Sequence, residues 1–384
     1  MPAAVGDPVD TGPAPVPAVV VGAGPAGLAT AACLVRRGVD ALVLEAGPTV
    51  GISWRQRYER LHLHTVKQHS CLPGLQFGKE VPRYPSAAEV VAYLDAYADK
   101  LAIRPRFNEA VRRVSLASGT LVVETAGAVH RARAVVIATG YNRVPNPERP
   151  PGAERFEGQL LHAAQYRNAA PFVGKSVLVV GAGNTGAEIA LELAERGARP
   201  TLAVRTPVNV VPRDFLGMPT QVTSIRLRHA PTALGDGLGR LISRLAFGDL
   251  ARFGLGRPEL GPLSAIKMRR RIPLIDIGTI AAIKERRIAV KPGVDHLTPR
   301  GAAFADSSEE SFEAIVLATG YRPALAEIVD VDGVLAADGH PRDRQGGDVC
   351  PNLFFVGFRN VATGLLREIG IEAEATAAAI AAAG

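Results

Sequence analysis

Cysteine is scarce in this chain of 384 residues: Cys33, Cys71 and Cys350 stand singly, with no C-x-x-C pair. That scarcity excludes a disulfide framework and a cysteine-built metal site, and it fits a reducing cytoplasm. Long apolar runs are missing as well. With 47% hydrophobic residues the chain can bury sizeable cores, yet no uninterrupted stretch approaches the roughly 20 residues that cross a bilayer. The opening segment, MPAAVGDPVDTGPAPVPA, lacks the basic start of a signal peptide and reads as a disordered leader over 1–16. Aromatic residues are few, at 5%, and no stacking platform accompanies the densest basic run, Lys267 to Arg271. The formal charge of +7 therefore reads as a solvated face or as part of a phosphate-binding side, not as a nucleic-acid surface. His62 and His64 share one strand face without a cysteine or carboxylate partner, so no metal site is expected.

Glycine is what the chain has, and in pattern. AVVVGAGPAGLATAACLVRRG places Gly22, Gly24 and Gly27 between an apolar run and a helical pattern, and SVLVVGAGNTGAEIALELAERG does the same with Gly181, Gly183 and Gly186. Each reads as strand, tight turn and helix N-terminus, the arrangement that cradles a pyrophosphate. The first glycine permits the turn, the second lets backbone approach the phosphate, and the third lets helix pack on sheet. Pro25 and Ala26 in the first, Asn184 and Thr185 in the second, complete the loops. The strand after the first fingerprint ends on Glu45, where a carboxylate accepts ribose hydroxyls. The equivalent strand after the second ends on Arg205 and Thr206, where a guanidinium meets a 2′-phosphate. The first site thus fits FAD and the second NADPH. Two dinucleotides in one chain imply redox chemistry, and the lack of a cysteine pair argues against dithiol reductases built on this plan.

The expected fold class is α/β, with two Rossmann-like dinucleotide-binding domains. VVIATGYN (135–142) and IVLATGYRP (315–323) each run from a buried-strand pattern into Thr-Gly-Tyr and mark where the chain passes between domains. The resulting division gives the FAD domain 17–170 and 311–384, and an inserted NADPH domain 171–310. Thr139 and Gly140 are expected at the cofactor. LFFVGF followed by an Ala-rich segment reads as a last strand, a turn at Gly357 and a long helix aimed at the flavin. From about 221 to 256, Leu238, Leu241, Ile242, Leu245 and Phe253 follow helical spacing, which predicts an amphipathic pair that lines a substrate tunnel or packs on the NADPH domain.

FEGQLLHAAQYR, with Phe156, Gly158, His162, Tyr166 and Arg167, resembles the F-x-G-x-x-x-H-x-x-x-Y-[K/R] signature of the flavin-containing monooxygenases, and it stands just before the NADPH fingerprint as it does in that family. WRQRYERLHLHTVKQHSCLPGLQF, VNVVPRDFLGMPT and IPLIDIGTIAAIKERRIAVKPGV are similar to segments of the YUCCA-type branch, which converts indole-3-pyruvate to indole-3-acetate. The likeness runs from Ala18 to the C-terminus. Ala163, Thr185 and Tyr141 depart from it and leave the substrate open. The resemblance implies NADPH reduction of FAD and oxygen activation through a C4a-peroxide shielded from water. The substrate is a small molecule, an aryl-2-oxo acid first and a soft nitrogen or sulfur atom second. A non-oxygenating oxidase or sensor is the third reading. The resemblance places Trp54 and Arg55 near the FAD. Lys67, Gln68, Asn142 and His162 are the catalytic candidates, with Lys67 and Arg167 as carboxylate partners. The oligomeric state stays open, a homodimer included.

Overall fold

A computed structural model describes residues 14–346 and 349–383; the leader expected over 1–16 lies outside them as far as residue 13. Strand β1 (Val16–Val21) opens the first half, followed by helix α1 (Pro25–Val35), β2 (Ala41–Leu44), α2 (Ala87–Lys100), β3 (Val111–Ala117), β4 (Thr120–Thr125) and β5 (Val129–Ile137). A short β6 (Val144–Pro145) leads to the second half: β7 (Gln159–His162), β8 (Ser176–Val180), α3 (Asn184–Glu195) and β9 (Arg199–Val204). Helices α4 (Thr220–Arg226), α5 (Thr232–Phe247) and α6 (Pro262–Arg269) precede β10 (Ala289–Pro292) and β11 (Ala314–Leu317). The chain returns through β12 (Tyr321–Arg322) to β13 (Val329–Asp330), β14 (Cys350–Phe355) and the long helix α7 (Leu365–Ala383).

The first sheet runs β2–β1–β5–β4–β3–β13, with β14 joined in parallel to the end of β5. Helix α1 has ten buried residues, half of them Ala or Gly, because it is clasped between this sheet and α7 and small side chains allow both approaches. Ser86 and Glu89 close a reciprocal capping box at the start of α2. Arg36 and Arg37 meet Glu374, fastening α1 to α7 at the surface.

The second sheet is all parallel, in the order β10–β9–β8–β11–β7. This corrects the division expected from the sequence, which gives residues 159–162 and 314–317 to the FAD domain; both segments hydrogen-bond within the second sheet. The reason is a repeat of local geometry: each Ala-Thr-Gly string ends the strand lying parallel to its own fingerprint strand, β5 beside β1 and β11 beside β8. The crossings come after those strings. There, β6 and β12 run antiparallel side by side, Tyr321 opposite Pro145 and Arg322 opposite Val144. The amphipathic stretch forms α4 and α5, with a single 3-10 turn over Leu250–Phe253. No helix among the described residues is long and apolar enough to cross a membrane.

Candidate functional site

The two fingerprints adopt nearly the same backbone. Gly22 sits at φ +106° and Gly181 at φ +112°, and a Cβ on either would meet the carbonyl oxygen of Ala138 or Ala318 at 2.8 and 2.6 Å. Gly27 and Gly186 pack so tightly that a Cβ would lie 1.7 and 1.9 Å from the Gly22 and Gly181 oxygens. Gly24 and Gly183 differ: both are extended, and a Cβ there meets no atom within 4 Å. The middle glycine is therefore required by neither conformation nor packing. It keeps a helix N-terminus bare, which is what a pyrophosphate needs.

Both cradles open, at the carboxyl ends of their sheets, onto one cleft of about 1940 Å³. Gly22, Gly24, Pro25, Ala26, Glu45, Thr139, Gly140, Asn142 and Gly357 line it from the first half, and Gly181, Gly183, Asn184, Thr185, Arg205 and Thr206 from the second. Glu45 is buried and accepts from the N–H groups of Ala23 (2.6 Å) and Gly47 (2.8 Å), so its carboxylate is fixed at the strand end. The hydroxyls of Thr139 and Thr319, at matching positions in the two halves, are buried and have no partner in the protein. Orphaned donors in a cradle of this shape fit a bound dinucleotide in each half. Asn184 also lines the cleft. Its amide is spent on the neighbouring strand, donating to Pro273 (3.2 Å) and accepting from Ile275 (2.7 Å).

Other expected residues lie elsewhere. The Lys67 ammonium donates to the carbonyls of Gly78 (3.0 Å), Lys79 (3.0 Å) and Val81. It staples a loop, and neither it nor the exposed Gln68 reaches the cleft. Trp54 lines the cleft, whereas Arg55 points outward to Asp95 (2.5 Å). His162 is a clamp at the crossing, where Nδ1 accepts from the Ala164 N–H (3.0 Å) and Nε2 faces the Gly320 carbonyl (3.2 Å). Those partners require the neutral ring, and burial lowers its pKa in the same sense. Arg167 donates to the Arg57 carbonyl at 3.2 Å and is absent from the cleft wall.

Sequence reading missed three features. Arg271 reaches Thr206 Oγ1 at 3.0 Å, turned back by a left-handed residue, Arg270, at φ +52°. Gln221 is buried, accepts from the Val66 N–H and donates to the Thr363 carbonyl (both 2.8 Å), and so ties α4 to the first half. His64 lies 2.6 Å from Glu188 of α3, whose other oxygen accepts from the Tyr58 hydroxyl at 3.1 Å. A signal for Arg271 was present in the 267–271 basic run; none marked Gln221 or the His64–Glu188 pair.

Residues 19–215 match the family model described as pyridine nucleotide-disulphide oxidoreductase. All three cysteines are free and none lines the cleft; burial pushes the Cys33 thiol up to about 12. The chain is 42% identical over 310 residues to indole-3-pyruvate monooxygenase YUCCA1 of Oryza sativa subsp. japonica, covering 79% of this chain and 76% of that protein. The chain belongs to the YUCCA family. The probable YUCCA1 enzyme of Arabidopsis thaliana is 38% identical over 84% of the chain and 80% of its own length. A flavin monooxygenase of Stenotrophomonas maltophilia, in a doubly substituted form, superimposes with a TM-score of 0.75 at 25% identity, over 96% of this chain and 98% of that one. As a YUCCA-family member the chain is a flavin-dependent monooxygenase that uses FAD and NADPH.

Proposed function

We propose that this YUCCA-family chain oxidatively decarboxylates an aryl-2-oxo acid of the indole-3-pyruvate type. The observation that carries the reading is that both dinucleotide cradles face one cleft, part of whose remaining wall is an apolar patch: Phe215, Met218 and Leu227 with Leu238 and Ile242 of α5. Bound FAD, reduced by NADPH, supplies the activation of O₂. The protein positions and encloses. The wall from α4 and α5 accepts an aromatic ring and sheds water. Arg57 reaches the same cleft with its guanidinium 4.3 Å from the Tyr321 ring centre and suits the substrate carboxylate. It replaces Lys67 and Arg167 in that part. The balance is 2-oxo acid, O₂, NADPH and one proton in; carboxylic acid, CO₂, NADP⁺ and water out.

The test supplies indole-3-pyruvate, NADPH and isotopically labelled O₂ to the purified holoprotein. One labelled oxygen in indole-3-acetate, with CO₂ matching the NADPH consumed, is the expected result. Labelled amine or sulfide oxides from a parallel panel, with no decarboxylation, would replace the substrate class. Hydrogen peroxide as the sole product would overturn oxygenation itself.

A further inference from the structure

Electrons drawn from NADPH have two outlets with O₂. One oxygen atom enters product while the other leaves as water, or both leave as hydrogen peroxide and no product forms. Exclusion of water from the site favours the first outlet. What closes the cleft where the two halves meet therefore bears on the reaction. The Tyr84 hydroxyl crosses to Asp214 at 2.6 Å, but neither residue lines the cleft. Gln221 of α4 does line it, and there it meets two pieces of the first half, the segment at Thr65 and the loop 361–364 that leads into α7. Gln221 is 4% exposed, and both ends of its amide are engaged. Oε1 accepts from the Val66 N–H and Nε2 donates to the Thr363 carbonyl, each at 2.8 Å. The fit has no slack: a Cβ on Gly364, at φ +102°, would lie 2.6 Å from Gln221 Nε2 and 2.9 Å from Thr65 Cγ2. Both backbone partners are also pinned from behind. The Ser70 hydroxyl donates to the Val66 carbonyl (2.9 Å), and the Thr363 hydroxyl donates to Glu368 (2.6 Å). A side chain of the same length without the amide would fill this space. It would leave a buried N–H and a half-buried C=O unpaired, and such groups draw in water.

We propose that Gln221 is a positioning residue that seals the cleft where the halves meet, and that its amide sets how much of the O₂ consumed ends in product. The side chain takes no proton and makes no bond to substrate. It acts through Val66 and Thr363, whose backbone it holds against α4. With the amide gone, water bridges the two orphaned groups and enters the wall beside Thr65 and Gly364. Turnover then shifts from oxygenation to the second balance: O₂, NADPH and one proton in, hydrogen peroxide and NADP⁺ out. The proposal rests on the oxygenase reading above.

The experiment compares wild type, Gln221→Met and Gln221→Asn with indole-3-pyruvate, measuring product, hydrogen peroxide and NADPH consumed. Met keeps the length and removes the amide, whereas Asn keeps the amide one methylene short of spanning both partners. FAD occupancy and anaerobic bleaching of the flavin by NADPH report folding and coenzyme alignment. Deuterium exchange at the Val66 amide of the apoprotein reports the seal without any turnover. In Gln221→Met, occupancy and bleaching stay as in wild type, and Val66 exchanges faster. Product per NADPH falls on the order of tenfold, the scale of one lost hydrogen bond, and hydrogen peroxide makes up the difference. Gln221→Asn falls between the two, and it carries the same test if the Met protein does not fold. A variant whose Val66 exchanges faster while product per NADPH is unchanged would overturn the assignment. So would bleaching and product that fall together at a constant ratio, the mark of a merely structural role. A wild type that makes only hydrogen peroxide sinks the oxygenase reading and this proposal with it, whereas a coupled wild type beside a coupled variant sinks the proposal alone.

Discussion

Gly24 and Gly27 are three residues apart and should fail in opposite ways. Gly24 is extended (φ −79°, ψ −172°), a conformation open to any residue, and a Cβ there touches no protein atom. Gly24→Val should therefore leave the folded apoprotein within about 0.5 kcal/mol of wild type, as for a substitution in open space. What it removes is the close approach of pyrophosphate to the N-terminus of α1. Charge-assisted hydrogen bonds contribute about 1.5–3 kcal/mol each, so losing one or two weakens FAD binding from roughly tenfold to roughly twenty-thousandfold. Gly27→Ala puts a methyl 1.7 Å from the Gly22 carbonyl oxygen. Helix or turn must move, which costs about 1–3 kcal/mol, the usual scale for overpacking. The assay is thermal unfolding of each apoprotein, alongside FAD titration by flavin fluorescence. A Gly24→Val protein that binds FAD as wild type does would refute the reasoning. So would one whose apoprotein melts as early as Gly27→Ala.

Coenzyme choice and acid stability give further tests. Arg205→Ala and Arg271→Ala should each raise KM for NADPH roughly ten- to hundredfold, or about 1.5–3 kcal/mol, with little change for NADH; an unchanged NADPH/NADH ratio in both would move the 2′-phosphate elsewhere. His162 has its pKa lowered by burial, so the unfolded chain binds the proton more readily than the folded one. Its contribution to stability is complete above the ordinary imidazole range, about pH 6.5, and is lost as pH falls through the folded value. Wild type should thus lose more Tm between pH 7.5 and 5.5 than His162→Gln, measured by scanning calorimetry, and equal losses would remove His162 from the acid response.

The parts of the site legible in the sequence are those whose chemistry is local. Three glycines at fixed offsets and a strand-end Glu45 or Arg205 each report a short backbone path, and that path exists before the rest of the chain folds around it. Lys67 and Gln68 sit in an irregular segment with no period. Whether such an ammonium points to the cleft or away is decided by the carbonyls of residues 78–81, brought alongside by tertiary packing. His64 and Glu188 carry no signal because the pair forms only when the two halves close on each other. The domain boundary is misplaced in a sequence reading for a related reason. A buried apolar strand looks the same in either sheet, and only hydrogen bonding to β8 shows where β11 belongs.

The entry and exit of the second half lie side by side, zipped as β6 and β12, with His162 clamped to Gly320 beside them. An inserted unit attached this way enters and leaves at one seam, and Gln221 with the His64–Glu188 pair fastens it to the first half elsewhere. Sliding of one half over the other would shear the paired linkers, whereas swinging about the seam leaves their hydrogen bonds intact. Such a swing would also have to break the Gln221 hydrogen bonds to Val66 and Thr363, so the seam and α4 together hold the two coenzyme cradles face to face. A disulfide replacing Val144 and Arg322, which face each other and do not line the cleft, would fix the seam without touching the coenzyme cradles.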